Sequence, residues 1–127
     1  MTARVTDLHY VALAVPDLES ERQFFGDTWG LVQVGERDGK VYFAAEGSPH
    51  PFVIRLRQDA EKKTDLMGFS AASRSDVDAL FGQVMGAGAK IISEPGPAEG
   101  PAGGYAFRFF DPVRRAIQVV CDTAQPP

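Results

Sequence analysis

The sequence predicts an α+β fold: two βαβββ modules whose curved mixed sheet encloses a cup, with the helices on the outer face. Three observations carry that expectation. The stretch Asp7-Leu8-His9-Tyr10-Val11-Ala12-Leu13-Ala14-Val15 is largely apolar on both of its alternating faces and runs through Pro16 into a helix start. A related phrase returns as Asp65-Leu66-Met67-Gly68-Phe69-Ser70-Ala71-Ala72-Ser73, with His9 falling on Met67 at an offset of 58, while Phe25-Gly26 matches Phe81-Gly82 and Gly30 matches Gly86 at 56. Each copy is then followed by a helical pattern and by short strands set between Gly, Pro and Asp.

Taken in order, the first strand covers about 8–15 and stops at Pro16, which cannot donate to a ladder. Asp17 is a good N-cap, and Glu19 and Glu21 suit the positive end of a helix dipole. That helix runs to about Thr28 with Leu18, Phe24, Phe25 and Trp29 on its apolar side, which makes Trp29 a core anchor, and Gly30 ends it. Leu31–Val34 reads as a short strand, Asp38-Gly39 as a hairpin turn and Lys40–Ala45 as its return. His50 lies between two prolines, where a solvated loop imidazole is expected. Phe52–Arg57 alternates cleanly, Phe52, Ile54 and Leu56 against Val53, Arg55 and Arg57.

Residues 58–64 are polar and read as a linker, so that one domain, 1–127, divides into module one at 6–57 and module two at 65–122. The second module brings a strand at about 66–72 and a helix signalled by Ser75 and Asp78. Val77, Leu80, Phe81, Val84 and Met85 form the apolar stripe of that helix, and Gly86-Ala87-Gly88 stops it. A short strand follows at 89–92, then an eleven-residue Pro/Gly-rich loop from Glu94 to Gly104, long enough to be functional or disordered. Tyr105–Phe110 and Arg115–Cys121 are the last strands, joined by the turn Asp111-Pro112-Val113-Arg114, and the tail 123–127 is expected to lack structure.

Composition narrows the function. A net charge of −4 without a Lys/Arg cluster argues against a nucleic-acid surface. A single cysteine, Cys121, makes no intrachain disulfide, which fits a reducing cytoplasm, and it reads as a small buried hydrophobe. No apolar run approaches the roughly 20 residues that span a bilayer, and the N-terminus has no signal-peptide core. No Ser/His/Asp or Cys/His arrangement offers nucleophilic catalysis. Gly100-Pro101-Ala102-Gly103-Gly104 opens a strand rather than a helix, unlike a phosphate loop.

The phrases His9–Leu18, Phe24-Phe25…Trp29-Gly30-Leu31 and Gly103–Pro112…Ala116–Val120 together resemble the vicinal oxygen chelate proteins, the glyoxalase/bleomycin-resistance/extradiol-dioxygenase group, over roughly residues 6 to 122. The last phrase looks most like the first domain of extradiol dioxygenases. The resemblance implies a divalent metal in the cup, held in such enzymes by a His at the start of the first strand, a second ligand at the equivalent position of the repeat, a Glu on the last strand and, in some members, a residue closing the first half. Those positions here are His9, Met67, Gln118 and Arg55. A thioether, a neutral amide and a permanent cation replace hard or anionic ligands, so the metal site reads as lost and no cofactor is expected. Arg114 also stands in place of the usual Gly of the Asp-Pro-x-Gly turn, which is expected to alter that turn.

What remains is a cup carrying His9, Arg55, Met67, Arg108 and Gln118, suited to a small anionic or phenolic ligand. Arg55 reads equally as a ligand contact or as a structural plug bonded to Gln118 or a carboxylate. No residue is assigned to catalysis. Three functions follow: a non-catalytic N-terminal-type module of an extradiol dioxygenase, a stand-alone metal-free binding protein similar to bleomycin-resistance proteins, and a metal-dependent lyase or dioxygenase with unusual ligands. Homodimerisation, or pairing with a second domain, is expected to cover the open strand edges.

Overall fold

The computed structural model describes residues 3–123. Eight strands form one curved, unclosed sheet, and two helices pack against one face of it. The first half is β1 (Asp7–Val15), α1 (Leu18–Gln23), β2 (Val32–Arg37), β3 (Lys40–Ala44) and β4 (Ile54–Gln58). The second half repeats the order as β5 (Lys63–Ser70), α2 (Arg74–Gly86), β6 (Lys90–Pro97), β7 (Tyr105–Phe110) and β8 (Ala116–Cys121). The strands run β2-β3-β4-β1-β5-β8-β7-β6, with β1 and β5 antiparallel at the centre. Each of these two pairs in parallel with the last strand of its own half, β4 or β8.

Local chemistry explains the boundaries. The backbone N–H of Ser20 donates to Asp17 Oδ1 at 3.1 Å and caps α1. After six residues α1 widens into a π-helical turn, Phe24–Thr28, closed by Trp29 N–H donating to the Phe24 carbonyl at 2.9 Å. The wider turn breaks the 3.6-residue spacing that would align Trp29 with Leu18 and Phe25. Phe25 is buried against Phe43, but Trp29 is 59% exposed and Phe24 51%. Trp29 is therefore a surface residue stacked on Phe25 at 5.1 Å, not the expected core anchor. Asp38 and Gly39 both take positive φ, 53° and 77°, and form the hairpin turn between β2 and β3.

In the second half Ser73, not Ser75, caps α2, its hydroxyl accepting from Asp76 N–H at 3.2 Å. Strand β6 runs on to Pro97, so the expected eleven-residue loop shrinks to 98–104. Strand β5 begins at Lys63, inside the polar stretch expected as a linker. The turn after β7 keeps a left-handed residue: Arg114 takes φ 68°, the conformation a glycine would supply, and its N–H donates to the Asp111 carbonyl at 2.9 Å. Arg114 therefore holds this turn in a conformation that strains a residue with a side chain. Of the expected unstructured tail, residues 124–127 lie outside the described residues.

The core is split between the two faces of the sheet. On the helix face, Val15, Phe25, Val41, Phe43 and Leu56 pack under the first helical segment, and Ala71, Val77, Leu80, Phe107 and Val119 under α2. Cys121 is buried in the second of these clusters. On the concave face, Tyr10, Ala12, Tyr42, Phe52 and Leu66 form a third cluster. This third cluster is the floor of the cup.

Candidate functional site

The register of the ladders places two rows of residues side by side across the cup. In one row Tyr42 pairs with Arg55, Arg55 with Ala12 and Ala12 with Leu66. In the other Arg108 pairs with Gln118, Gln118 with Gly68 and Gly68 with Tyr10. Side chains of directly paired residues share a face. The rows are related by the internal repeat, which carries Arg55 onto Gln118 and Tyr42 onto Arg108. The repeat offset at the centre is 56: β1 starts at Asp7 and β5 at Lys63, and the helix caps are Asp17 and Ser73. At that offset Tyr10 falls on Leu66 and His9 on Asp65, so the offset of 58 that matched His9 to Met67 does not hold at the sheet centre.

The expected site residues accordingly divide. Arg55, Arg108 and Gln118 converge on the cup. Arg108 Nε donates to Gln118 Oε1 at 2.8 Å, and its Nη1 lies 2.7 Å from Glu99 Oε1. Arg55 Nη1 faces the same Glu99 oxygen at 3.8 Å, and Lys40 Nζ reaches Glu99 Oε2 at 3.6 Å. Arg55 is only 6% exposed, and its Nε has no hydrogen-bond partner among the described residues. Met67 is half-buried and pairs with Val11 and Ile117, away from this cluster in the alternation of the strand.

His9 sits at an irregularity in the β1–β5 ladder and turns toward the loop that precedes β4. Its ring is 3% exposed, stacks on His50 at 4.4 Å and abuts Phe52 at 5.3 Å, and neither ring nitrogen has a partner among the described residues. Burial, with help from the His50 charge and against the attraction of Asp7, pushes the His9 imidazole down to about 4. His50 is not a solvated loop imidazole: its Nε2 lies 2.6 Å from Asp7 Oδ2. The residue of β1 that faces the arginines is Tyr10. Burial raises its phenol above the ordinary value, and the charges of Arg55 and Arg108 oppose the rise.

Glu99 is the residue that pattern reading missed. It belongs to the loop 98–104 that folds back over the cup, with Ala98 N–H donating to the Gly104 carbonyl at 2.9 Å and Arg37 Nη1 donating to the Gly100 carbonyl at 3.2 Å. Gly100, Gly103 and Gly104 take φ of 101°, 65° and 110°, which lets the loop turn this tightly. Ala102 packs on the cluster of Tyr10, Tyr42 and Phe52. Burial pushes the Glu99 carboxyl up, but the Arg108 hydrogen bond and the charges of Arg108, Lys40 and Arg55 outweigh it and hold it below the ordinary range. Its neighbours in the sequence give no hint of this, because its cationic partners come from β3, β4 and β7.

Beside Glu99, Arg108 and Gln118 lies a cavity of about 250 Å³, bordered also by Ser93, Glu94 and Pro97. A larger groove of about 690 Å³ lies elsewhere, between the end of α2 and the turn after β7, lined by Val84, Ala87, Phe109 and Pro112 among others. At the other end of the cup Arg57 forks onto Asp65 through Nε at 2.5 Å and Nη2 at 2.9 Å, and Nη1 bonds Asp59 at 3.0 Å. This fork ties β4 to β5 across β1 and engages all three nitrogens of Arg57. No helix of the described residues is long and apolar enough to cross a membrane.

Comparison with known proteins places this geometry. The chain is 42% identical to the Mn(II)-bound glyoxalase from Novosphingobium aromaticivorans over 98% of its own length and 41% of that chain, with a TM-score of 0.95. It is 26% identical over 127 residues to a manganese-dependent 2,3-dihydroxybiphenyl 1,2-dioxygenase of Geobacillus genomosp. 3, covering 99% of this chain and 40% of that protein. Homoprotocatechuate 2,3-dioxygenase from Brevibacterium fuscum, solved with 3,4-dihydroxyphenylacetate, shares the fold at a TM-score of 0.90 and 20% identity, over 99% of this chain and 39% of that one. The chain thus spans about two fifths of the length of these relatives. The family described as the Glyoxalase/Bleomycin resistance protein/Dioxygenase superfamily matches residues 7–119, and this protein belongs to it.

Proposed function

We propose that this domain is a metal-free, non-catalytic member of the superfamily, equivalent to the N-terminal-type module of a two-domain extradiol dioxygenase. The observation that carries the reading is the buried guanidinium of Arg55, set in the cup together with Arg108. A catalytic dication needs about three protein ligands in an open site. The polar groups present do not fit one. Gln118 Oε1 already accepts from Arg108, Glu99 is shared among three cations, and the position related to Tyr10 by the repeat is Leu66. A dication would also meet two permanent positive charges at close range, one of them the buried guanidinium of Arg55. The manganese named for the relatives is supported in this reading by the rest of those longer chains, and the present domain pairs with a second domain or a second copy.

The test is metal analysis of protein purified without chelator, followed by titration with Mn(II), Fe(II) and Zn(II). Less than a tenth of an equivalent of metal and no binding tighter than about 1 mM are expected. One tightly held equivalent per chain would overturn the reading and favour a metal-dependent dioxygenase or lyase.

A second reading, a domain that binds a small anionic or phenolic molecule, is favoured by the cavity of about 250 Å³ beside Arg108 and Gln118. Titration with benzoate, detected by NMR shifts of the arginine side chains, tests it. Saturable shifts at Arg108 are expected, and their absence would leave only the structural role.

A further inference from the structure

We propose that Glu99 is an internal carboxylate lodged in the anion position of the cup, and that a small aromatic carboxylate takes its place as the loop 98–104 withdraws. The inference rests on the reading of the cup as a ligand site.

The geometry shows a site filled imperfectly from within. Two guanidinium groups and an ammonium converge on one carboxylate, at 2.7, 3.8 and 3.6 Å. Only the Arg108 contact is within hydrogen-bond distance. Arg55, whose side chain is 8% exposed, is held at the outer limit of an ion pair, and its Nε is unpartnered among the described residues. A buried donor left unmet is a standing cost that a better-placed acceptor would relieve. The Glu99 side chain itself is half exposed. Its tether to the loop therefore keeps the carboxylate short of the groups that need it most. A free carboxylate can sit deeper and fork onto Arg55.

The loop also mimics the rest of such a ligand. Ala102 lies on Tyr10, Tyr42 and Phe52, and the Gly100 backbone lies so close to Tyr42 that an added Cβ would be 3.2 Å from its hydroxyl. Withdrawal of the loop uncovers the two tyrosine rings beside the arginines. A molecule with a flat apolar body and one carboxylate replaces both contacts at once. The loop is built to leave. Its ties to the sheet beyond Glu99 are few, chiefly the Arg37 bond to the Gly100 carbonyl, and three glycines in left-handed or extended positive-φ conformations form its turn. A side chain that must leave before a ligand enters lowers apparent affinity by the fraction of molecules in the open state.

The experiment is calorimetric titration of the whole chain with sodium benzoate, comparing wild type, Glu99→Gln and Arg108→Met. Benzoate is expected to bind Glu99→Gln at least about tenfold more tightly than wild type and not to bind Arg108→Met. Equal affinity of wild type and Glu99→Gln would overturn the role of Glu99 while leaving the ligand site intact. No binding to either would overturn the ligand-site reading itself. Should Glu99→Gln fail to fold, hydrogen exchange of wild type decides. Saturating benzoate is expected to speed exchange of the Ala98 and Gly103 amides, and unchanged or slowed exchange there would sink the proposal.

Discussion

Tyr10 and Gly68 face each other across the β1–β5 ladder, and the tyrosine ring occupies the space a side chain at position 68 would need: a Cβ there would lie 2.5 Å from Tyr10 Cε1. The missing side chain at 68 lets the phenol lie across the cup toward Arg55 and Arg108. Gly68→Ala is therefore expected to destabilise the domain by about 1–3 kcal/mol, the range for overpacking a tight site. Urea unfolding measures it. Adding Tyr10→Leu to Gly68→Ala is expected to recover part of the loss, and a double variant no more stable than the single one would argue that the backbone, not the ring, sets the cost.

His9 makes stability depend on pH. Its folded value, about 4, lies below the ordinary 6.5, so between these limits the unfolded chain binds more protons. Stability is expected to be flat above pH 7, to fall as pH drops from 6.5 toward 4, and to level off below that, by on the order of 3 kcal/mol in total from this group. Asp65 and Glu99, whose folded values are depressed, withdraw their contributions only as pH falls through the carboxylate range. Urea midpoints between pH 7.5 and 5 therefore read the imidazole range apart from these carboxylates. His9→Phe, which keeps the stack on His50, is expected to flatten the slope; an unchanged slope would show that His9 is not its source.

Arg114 holds a backbone conformation that costs a residue with a side chain about 1–2 kcal/mol. Arg114→Gly is expected to raise stability by roughly 0.5–1 kcal/mol, the gain being reduced by the greater freedom of glycine in the unfolded chain. A lower thermal midpoint for the variant would mean that the arginine side chain contributes contacts that outweigh the strain.

Trp29 is the single tryptophan, so its fluorescence reports one place. It is exposed beside Phe24, and the nearby edge strand β2 exposes Val32 and Val34. In the isolated domain its emission is expected to be that of a hydrated indole, readily quenched by acrylamide. Trp29→Ser is expected to change stability by less than about 0.5 kcal/mol. Protection from acrylamide that disappears on dilution would identify this surface as the face where a second copy docks.

Arg57 and Asp65 join the two halves through a fork of two hydrogen bonds, with Asp65 mostly buried. Asp65→Asn is expected to cost about 1–3 kcal/mol, because it removes the forked carboxylate and leaves a partly buried guanidinium with Asp59 as its remaining anion. A loss below 0.5 kcal/mol, measured by urea unfolding, would show that Asp59 compensates alone.

The sequence by itself determined the fold. Apolar alternation through Leu8–Val15, the Asp17 cap, the Asp38-Gly39 turn and the stripe Val77–Val84 are local signals, and local chemistry is enough to read them. The family resemblance also placed Arg55, Arg108 and Gln118 in one cup, but it placed His9 and Met67 there as well, and the structure turns both of those away from the arginines. The tertiary structure decided what a local pattern cannot encode. A π turn rotated Trp29 to the surface, since one extra residue per turn changes the face of everything after it. The ladder between β1 and β5 set the offset at 56 and so gave Tyr10, not its neighbour His9, the place before the arginines. Glu99 entered the site only because a loop folds across the sheet to meet cations from three separate strands, a proximity that sequence distance hides.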